Sequence, residues 1–168
     1  MVLSKLDYCN SLYYGLPNKD LKGLQLIINN ASRIIVGLSR YSRERITPVN
    51  ISLHFLPIKA RIIYKICLLT YKALEHEQPR YLTELLSHHD PQRNLRSSAQ
   101  SRLHEPIIAT SEYSNRCFSY CAPRLYNSLP QQLKLAENID IFKRNLKTIL
   151  FDRAYDLETL SIKREFDL

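Results

Sequence analysis

Apolar residues at Leu21, Leu24, Ile28, Ala31, Ile35 and Leu38 recur at steps of three and four, and Ile27 and Ile34 widen the stripe. That rhythm predicts a helix over 21–38, with Gly37 near its end. A second set, Ile58, Ile62, Ile66, Leu69 and Ala73, follows Pro57 in the same rhythm. Proline suits a first helical position, so a helix is predicted from 57 to about 74. A third face, Phe142, Leu146, Ile149 and Leu150, predicts a helix over 139–150 with Lys143, Arg144 and Lys147 on its outer side. Shorter elements are expected over 6–14, stopping at Gly15-Leu16-Pro17, and over 80–86 after Pro79. Residues 113–129 are rich in aromatics and interrupted by Pro123, which predicts a helix to about Cys121 and a turn or short helix over 124–127.

All three glycines, Gly15, Gly23 and Gly37, lie in the first quarter of the chain. No glycine-rich loop is left to cradle a phosphate, and few tight hairpins can form. The expected fold is therefore mainly α: helical hairpins joined by proline-marked loops, with at most a short extended segment near 104–110. Residues 1–86 form a helical subdomain in this reading. A polar connector over 87–103 follows, then an aromatic-centred unit over 104–152 and a frayed tail over 153–168.

Composition narrows the class. With 45% hydrophobic and 24% charged residues, the 168-residue chain has a globular balance, not that of a disordered tail. No apolar run approaches the roughly 20 residues that cross a bilayer, so no membrane partner is expected. The start shows no secretory signal, and Cys9, Cys67, Cys117 and Cys121 are not spaced as a disulfide framework. An intracellular setting, cytoplasmic or nuclear, is the expectation. The net charge of +8 is uneven: residues 1–50 carry +4, 51–90 carry +1, 91–130 carry +3, and 131–168 balance. An excess of this size permits an acidic partner such as nucleic acid.

Five blocks in order resemble one family. They are Leu6-Asp7-Tyr8-Cys9-Asn10-Ser11-Leu12 with Tyr14-Gly15-Leu16-Pro17, then Leu24-Gln25 with Asn30-Ala31-Ser32-Arg33-Ile34-Ile35. Next come Ile46-Thr47-Pro48-Val49 with Leu53-His54-Phe55-Leu56-Pro57-Ile58, and the run from Arg116 to Pro130. Ile141-Phe142-Lys143-Arg144-Asn145-Leu146-Lys147 closes the series. Together they resemble the thumb and carboxy-terminal region of jockey-like non-LTR (LINE) retrotransposon reverse transcriptases, with Phe55 and Tyr126 where tryptophan is usual in the family. The resemblance implies a region beyond the catalytic palm. Polymerisation in the family needs a Tyr-x-Asp-Asp element and a third carboxylate to hold two metal ions, and this chain has no Asp-Asp pair. It is therefore expected to be no enzyme by itself, with no cofactor and no catalytic or metal-ligating residue. The thumb's place in the family implies RNA or an RNA–DNA hybrid as partner. The alternatives are a helical protein-interaction module, or a truncated open reading frame without function.

Lys19, Lys22, Arg33, Arg40, Arg43 and Arg45 are the candidate phosphate contacts. Against that stands an ordinary solvated face, and Glu44 between two arginines counts toward it. Lys143, Arg144 and Lys147 read as an outer helix face balanced by Glu137, Asp140 and Asp152. Cys117 and Cys121 with His104 and His88-His89 lack the spacing of a structural zinc site and read as packing residues. His54 has no nucleophile or carboxylate beside it in the sequence pattern. Tyr13, Tyr14, Tyr41, Tyr64, Tyr71 and Tyr81 could stack bases, but beside isoleucines they more often edge a core. Leu3, Leu6 and Leu12 are expected to lie exposed if their partner is missing.

Overall fold

The computed structural model describes residues 2–39, 41–89, 102–107 and 114–155. Their elements are α1 (Val2–Leu6), a 3-10 turn (Asn10–Tyr13), α2 (Asn18–Val36), α3 (Ile46–Ser52), α4 (Ile58–His76) and α5 (Arg80–Thr83). A second 3-10 turn (Ser114–Arg116), α6 (Phe118–Asn127), α7 (Gln131–Lys134) and α8 (Ile139–Tyr155) follow. The fold is mainly α. Residues 104–107 form no strand, and one isolated antiparallel bridge joins His88 to Leu103. Residues 108–110 of the expected extended segment, and 90–101 of the expected connector, lie outside the described residues. Among the described residues no helix is long and apolar enough to cross a membrane.

The chain divides into two compact units, residues 1–64 with 147–168, and residues 65–146. In the first, Leu21, Ile28, Leu56, Ile58, Ile62 and Leu150 are buried, each stabilising by roughly 1.5–3 kcal/mol. α2 starts at Asn18, earlier than its apolar stripe, because the Pro17 carbonyl accepts the N–H groups of Asp20 and Leu21. It ends at Gly37, whose φ of 74° is left-handed, with Gly37 N–H donating to Ile34 O and Leu38 N–H to Arg33 O. This paired closure is what glycine just past a helix end allows. Asp7, following α1, receives a two-pronged ion pair from Arg61 of α4, at 2.9 and 3.0 Å. Tyr155 donates to Phe55 O at 2.6 Å, and Phe151 packs on His54 with ring centroids 5.5 Å apart.

Four local expectations are corrected. The segment 6–14 is not one helix: Cys9, at φ 52°, separates α1 from the 3-10 turn. α3 was not anticipated, since seven residues are too short to display a period. Pro123 lies inside α6 instead of ending a helix. Its missing N–H removes one bond in the turn, while burial of Cys121, Ala122, Leu125 and Tyr126 on both sides holds the helix. α8 continues through Arg153 to Tyr155, where fraying was expected, and the Tyr155 hydroxyl bond explains why. Residues 156–168 lie outside the described residues.

In the second unit Ile66, Cys67, Tyr71, Phe142 and Leu146 are buried, and Tyr71 stacks on Phe142 with centroids 4.1 Å apart. Asn127 binds both backbone groups of Leu103, at 3.0 and 2.9 Å, and Glu105 Oε1 at 2.8 Å. One side chain thus fixes an otherwise irregular segment to α6.

Candidate nucleic-acid interface

At about 100° of rotation per residue, α2 divides into four faces. Leu21 and Ile28 are buried. Beside them run Gln25, Asn29 and Ser32, joined to Asn50 of α3 by hydrogen bonds. Lys19, Lys22, Leu26 and Arg33 fall within about 60° of one another on the next side. Both lysines are exposed, and Leu26 keeps 59% of its surface in water. The fourth face, Gly23, Ile27, Asn30 and Ile34, is solvent-facing although it carries two isoleucines, with Ile34 79% exposed.

Arg33 links the helix to the loop that follows. Its guanidinium donates to Ser42 O at 3.3 Å and to Glu44 O at 3.1 Å. Ser42 N–H donates to Ser39 O at 3.0 Å, and Glu44 N–H to Ser42 Oγ at 3.3 Å. Arg33 therefore positions the loop, and Arg43 and Arg45 project from it into solvent. Lys19 and Lys22 stand about 17–21 Å from Arg33 along the helix axis. That length matches several steps of one nucleic-acid strand, at about 3.4 Å each. Glu44 is exposed within the loop, and Asp20 is exposed beside Lys19. Arg40 lies outside the described residues.

The other candidates separate by environment. Tyr14 and Tyr71 are buried, Tyr64 is half-buried, and Tyr13 is 37% exposed. Tyr41 and Tyr81 are 88% and 67% exposed, and Tyr41 stands in the Arg33-held loop. Lys143 donates to Asp140 at 2.9 Å, and that hydrogen bond and charge hold the Asp140 carboxyl below its ordinary range. Leu12 is 76% exposed, as expected, whereas Leu3 and Leu6 are half-buried. His54 is exposed and meets Phe151.

Cys121 is buried, and burial pushes its thiol up to about 12. Among the described residues no three His, Cys, Asp or Glu side chains are placed to hold a metal ion. His89 and His104 do stack, with centroids 6.5 Å apart. Cys9 and Cys117 are exposed, and Cys67 and Cys121 buried. A disulfide reagent is thus expected to titrate two thiols quickly in the folded chain and the other two only on unfolding, since the thiolate is the reactive form. Four fast thiols would contradict the packing around Cys67 and Cys121.

A cleft of about 450 Å³ lies in the second unit, lined in part by Glu75, His88, Tyr126, Gln131 and Lys134. Lys134 donates to Asn127 O at 3.0 Å and lies 5.6 Å from the Tyr126 ring centre. Burial lowers its amine below the usual lysine range. The hydrogen bond ties α7 to the end of α6. Sequence reasoning missed this cleft and the Gln25–Asn29–Asn50–Ser32 network. For the network a signal existed: polar residues at steps of four and three flank the apolar stripe of α2. Neither a protein-family model, nor a curated protein, nor a solved structure matches the chain.

Proposed function

We propose that the chain is a non-catalytic piece of a non-LTR retrotransposon RNA-directed DNA polymerase, whose activity is weak, sequence-independent binding of RNA or an RNA–DNA hybrid. The observation that carries the binding is the alignment of Lys19, Lys22 and Arg33 on one side of α2, with the Arg43–Arg45 loop fastened at the far end. The ancestry rests on the five sequence blocks. Such a surface contacts phosphates and reads no base sequence, so each neutralised phosphate should release counterions. Arg33 counts as a positioning residue, and Lys19, Lys22, Arg43 and Arg45 as the contacts.

Fluorescence anisotropy of a labelled RNA–DNA hybrid at several salt concentrations tests this. Log affinity should fall linearly with log salt, by about 0.9 per phosphate neutralised. Lys19→Gln combined with Lys22→Gln should reduce that slope by about one to two. No binding at low salt, or a flat response, rejects the proposal.

A second reading, a protein-interaction module, is favoured by the Ile27, Ile34 and Ile35 surface, which is 44%, 79% and 58% exposed. Apolar residues at such spacing suit a helix-in-groove contact. In the same assay Ile34→Gln, which removes the apolar surface without adding charge, leaves hybrid binding unchanged within about twofold if phosphates alone are recognised. A larger change moves the assignment to the apolar face.

A further inference from the structure

We propose that Tyr41 is a stacking platform for an unpaired base, so that the ligand of this surface is a strand with accessible bases. It rests on the phosphate-binding reading above and adds the class of nucleic acid: single-stranded RNA or DNA, or a single-stranded extension, in preference to a continuous duplex.

Tyr41 is 88% exposed, the most open of the large apolar residues near the basic surface. A single exposed tyrosine is ordinary. This one differs in how its backbone is held. Tyr41 N–H donates to Ser39 Oγ at 3.3 Å, and Ser42 N–H to Ser39 O at 3.0 Å. The Arg33 guanidinium then clamps Ser42 O and Glu44 O from the helix side. These bonds restrain the backbone on which the ring is carried, which reduces the conformational entropy lost on binding. Among the described residues it stacks on no other ring.

Arg43 and Arg45, both exposed, follow Tyr41 at two and four residues. Phosphate contacts from these arginines would fix a strand in register while the aromatic ring meets a base. Charge tracking a backbone beside an aromatic ring that stacks its bases is the usual design for sequence-tolerant single-strand binding. A continuous duplex has both faces of each base occupied by its neighbours, so it offers the phosphates but not the stacking surface. Tyr13, Tyr14, Tyr64 and Tyr71 are more enclosed. Tyr81 is open, but its neighbour Arg80 pairs with Glu84 at 3.3 Å.

The test uses the full chain and three labelled probes at low salt: a 12-nucleotide oligo-uridine, its oligo-thymidine counterpart, and a blunt 12-base-pair RNA–DNA hybrid. Tyr41→Ala should weaken binding of both single strands about 5- to 150-fold, with Tyr41→Phe within twofold of the parent and the hybrid unchanged within twofold. Because the chain contains no tryptophan, Tyr41→Trp provides a single indole, whose emission should be quenched by the single strands and not by the hybrid. Unfolding curves for Tyr41→Ala should overlay the parent. Unchanged single-strand affinity in Tyr41→Ala, with salt-dependent binding retained, overturns the stacking proposal and leaves the phosphate reading standing. Equal losses on the hybrid and single strands, or a loss in Tyr41→Phe equal to that in Tyr41→Ala, also overturn it. No binding of any probe removes both.

Discussion

Phe142→Ala is expected to lower the free energy of unfolding by about 3–5 kcal/mol, the range for a large aromatic removed from a packed core. Phe142 on α8 has no solvent exposure and stacks on Tyr71 of α4 with centroids 4.1 Å apart and planes 18° from parallel. The substitution removes its transfer free energy, opens a cavity and ends a pairing worth about 0.5–1.5 kcal/mol beyond burial. Tyr71 cannot readily tilt into the space, because its hydroxyl donates to Ala136 O at 2.7 Å. Against a total stability of about 5–15 kcal/mol this is a large fraction, and the melting temperature should fall by about 6–20 °C. Urea unfolding followed by far-ultraviolet circular dichroism measures it. Tyr71→Phe, which loses the hydroxyl and keeps the ring, should cost only about 0.5–1.5 kcal/mol. A loss below about 1.5 kcal/mol for Phe142→Ala would show that the stacked pair is not the centre of the second unit.

Phe142 also shows what a periodic sequence discloses. The faces of α2, α4 and α8 were legible because Leu21, Ile28, Ile62, Ile66, Phe142 and Leu146 repeat at helical steps, and all are buried. Periodicity identifies an apolar face but does not say whether anything covers it. Ile35 continues the stripe of α2 and is 58% exposed, while Ile34 is 79% exposed. Boundaries were less legible because they depend on backbone hydrogen bonds. The Pro17 carbonyl starts α2 early, and the Tyr155 hydroxyl prolongs α8 through contact with a residue far away in sequence. The candidate surface was legible as charge. What was hidden is that Arg33 binds carbonyls nine and eleven residues further on. That contact makes it a positioning residue and sets Tyr41 apart from five other candidate tyrosines.

Asn50 should be a sensitive position in the first unit, although it is polar. Its side chain is buried, with Oδ1 2.6 Å from the Ser32 hydroxyl and Nδ2 donating to Asn29 Oδ1 at 3.1 Å. Asn29 Oδ1 also receives Gln25 Nε2 at 2.9 Å, and Gln25 Oε1 accepts Ile58 N–H at 2.9 Å. The chain of bonds runs from Asn50 of α3 through Asn29 and Gln25 of α2 to the first residue of α4. Asn50→Ala removes one partner each from Ser32, whose hydroxyl still reaches Ile28 O at 3.1 Å, and from Asn29, whose Oδ1 keeps Gln25 Nε2. A loss of about 1–3 kcal/mol is therefore expected. Asn50→Asp replaces the amide donor with an oxygen facing Asn29 Oδ1, and a buried carboxyl should have its pKa raised above the unfolded value. The folded state then binds more protons than the unfolded state, so stability falls as pH rises through that interval. Asn50→Asp should therefore be closer to the parent at pH 4 than at pH 7, whereas Asn50→Ala should show no such trend. In a double-mutant cycle, Ser32→Ala and Asn50→Ala should couple by about 0.5–3 kcal/mol. Additive losses, or an Asn50→Asp penalty independent of pH, would mean that water and not the four side chains satisfies these groups. The same network holds the packed side of α2 against α3, while Lys19, Lys22 and Arg33 lie on the adjoining side and make none of its bonds. Loss of hybrid binding in Asn50→Ala should accordingly follow the unfolded fraction, and disappear at temperatures where the variant is fully folded.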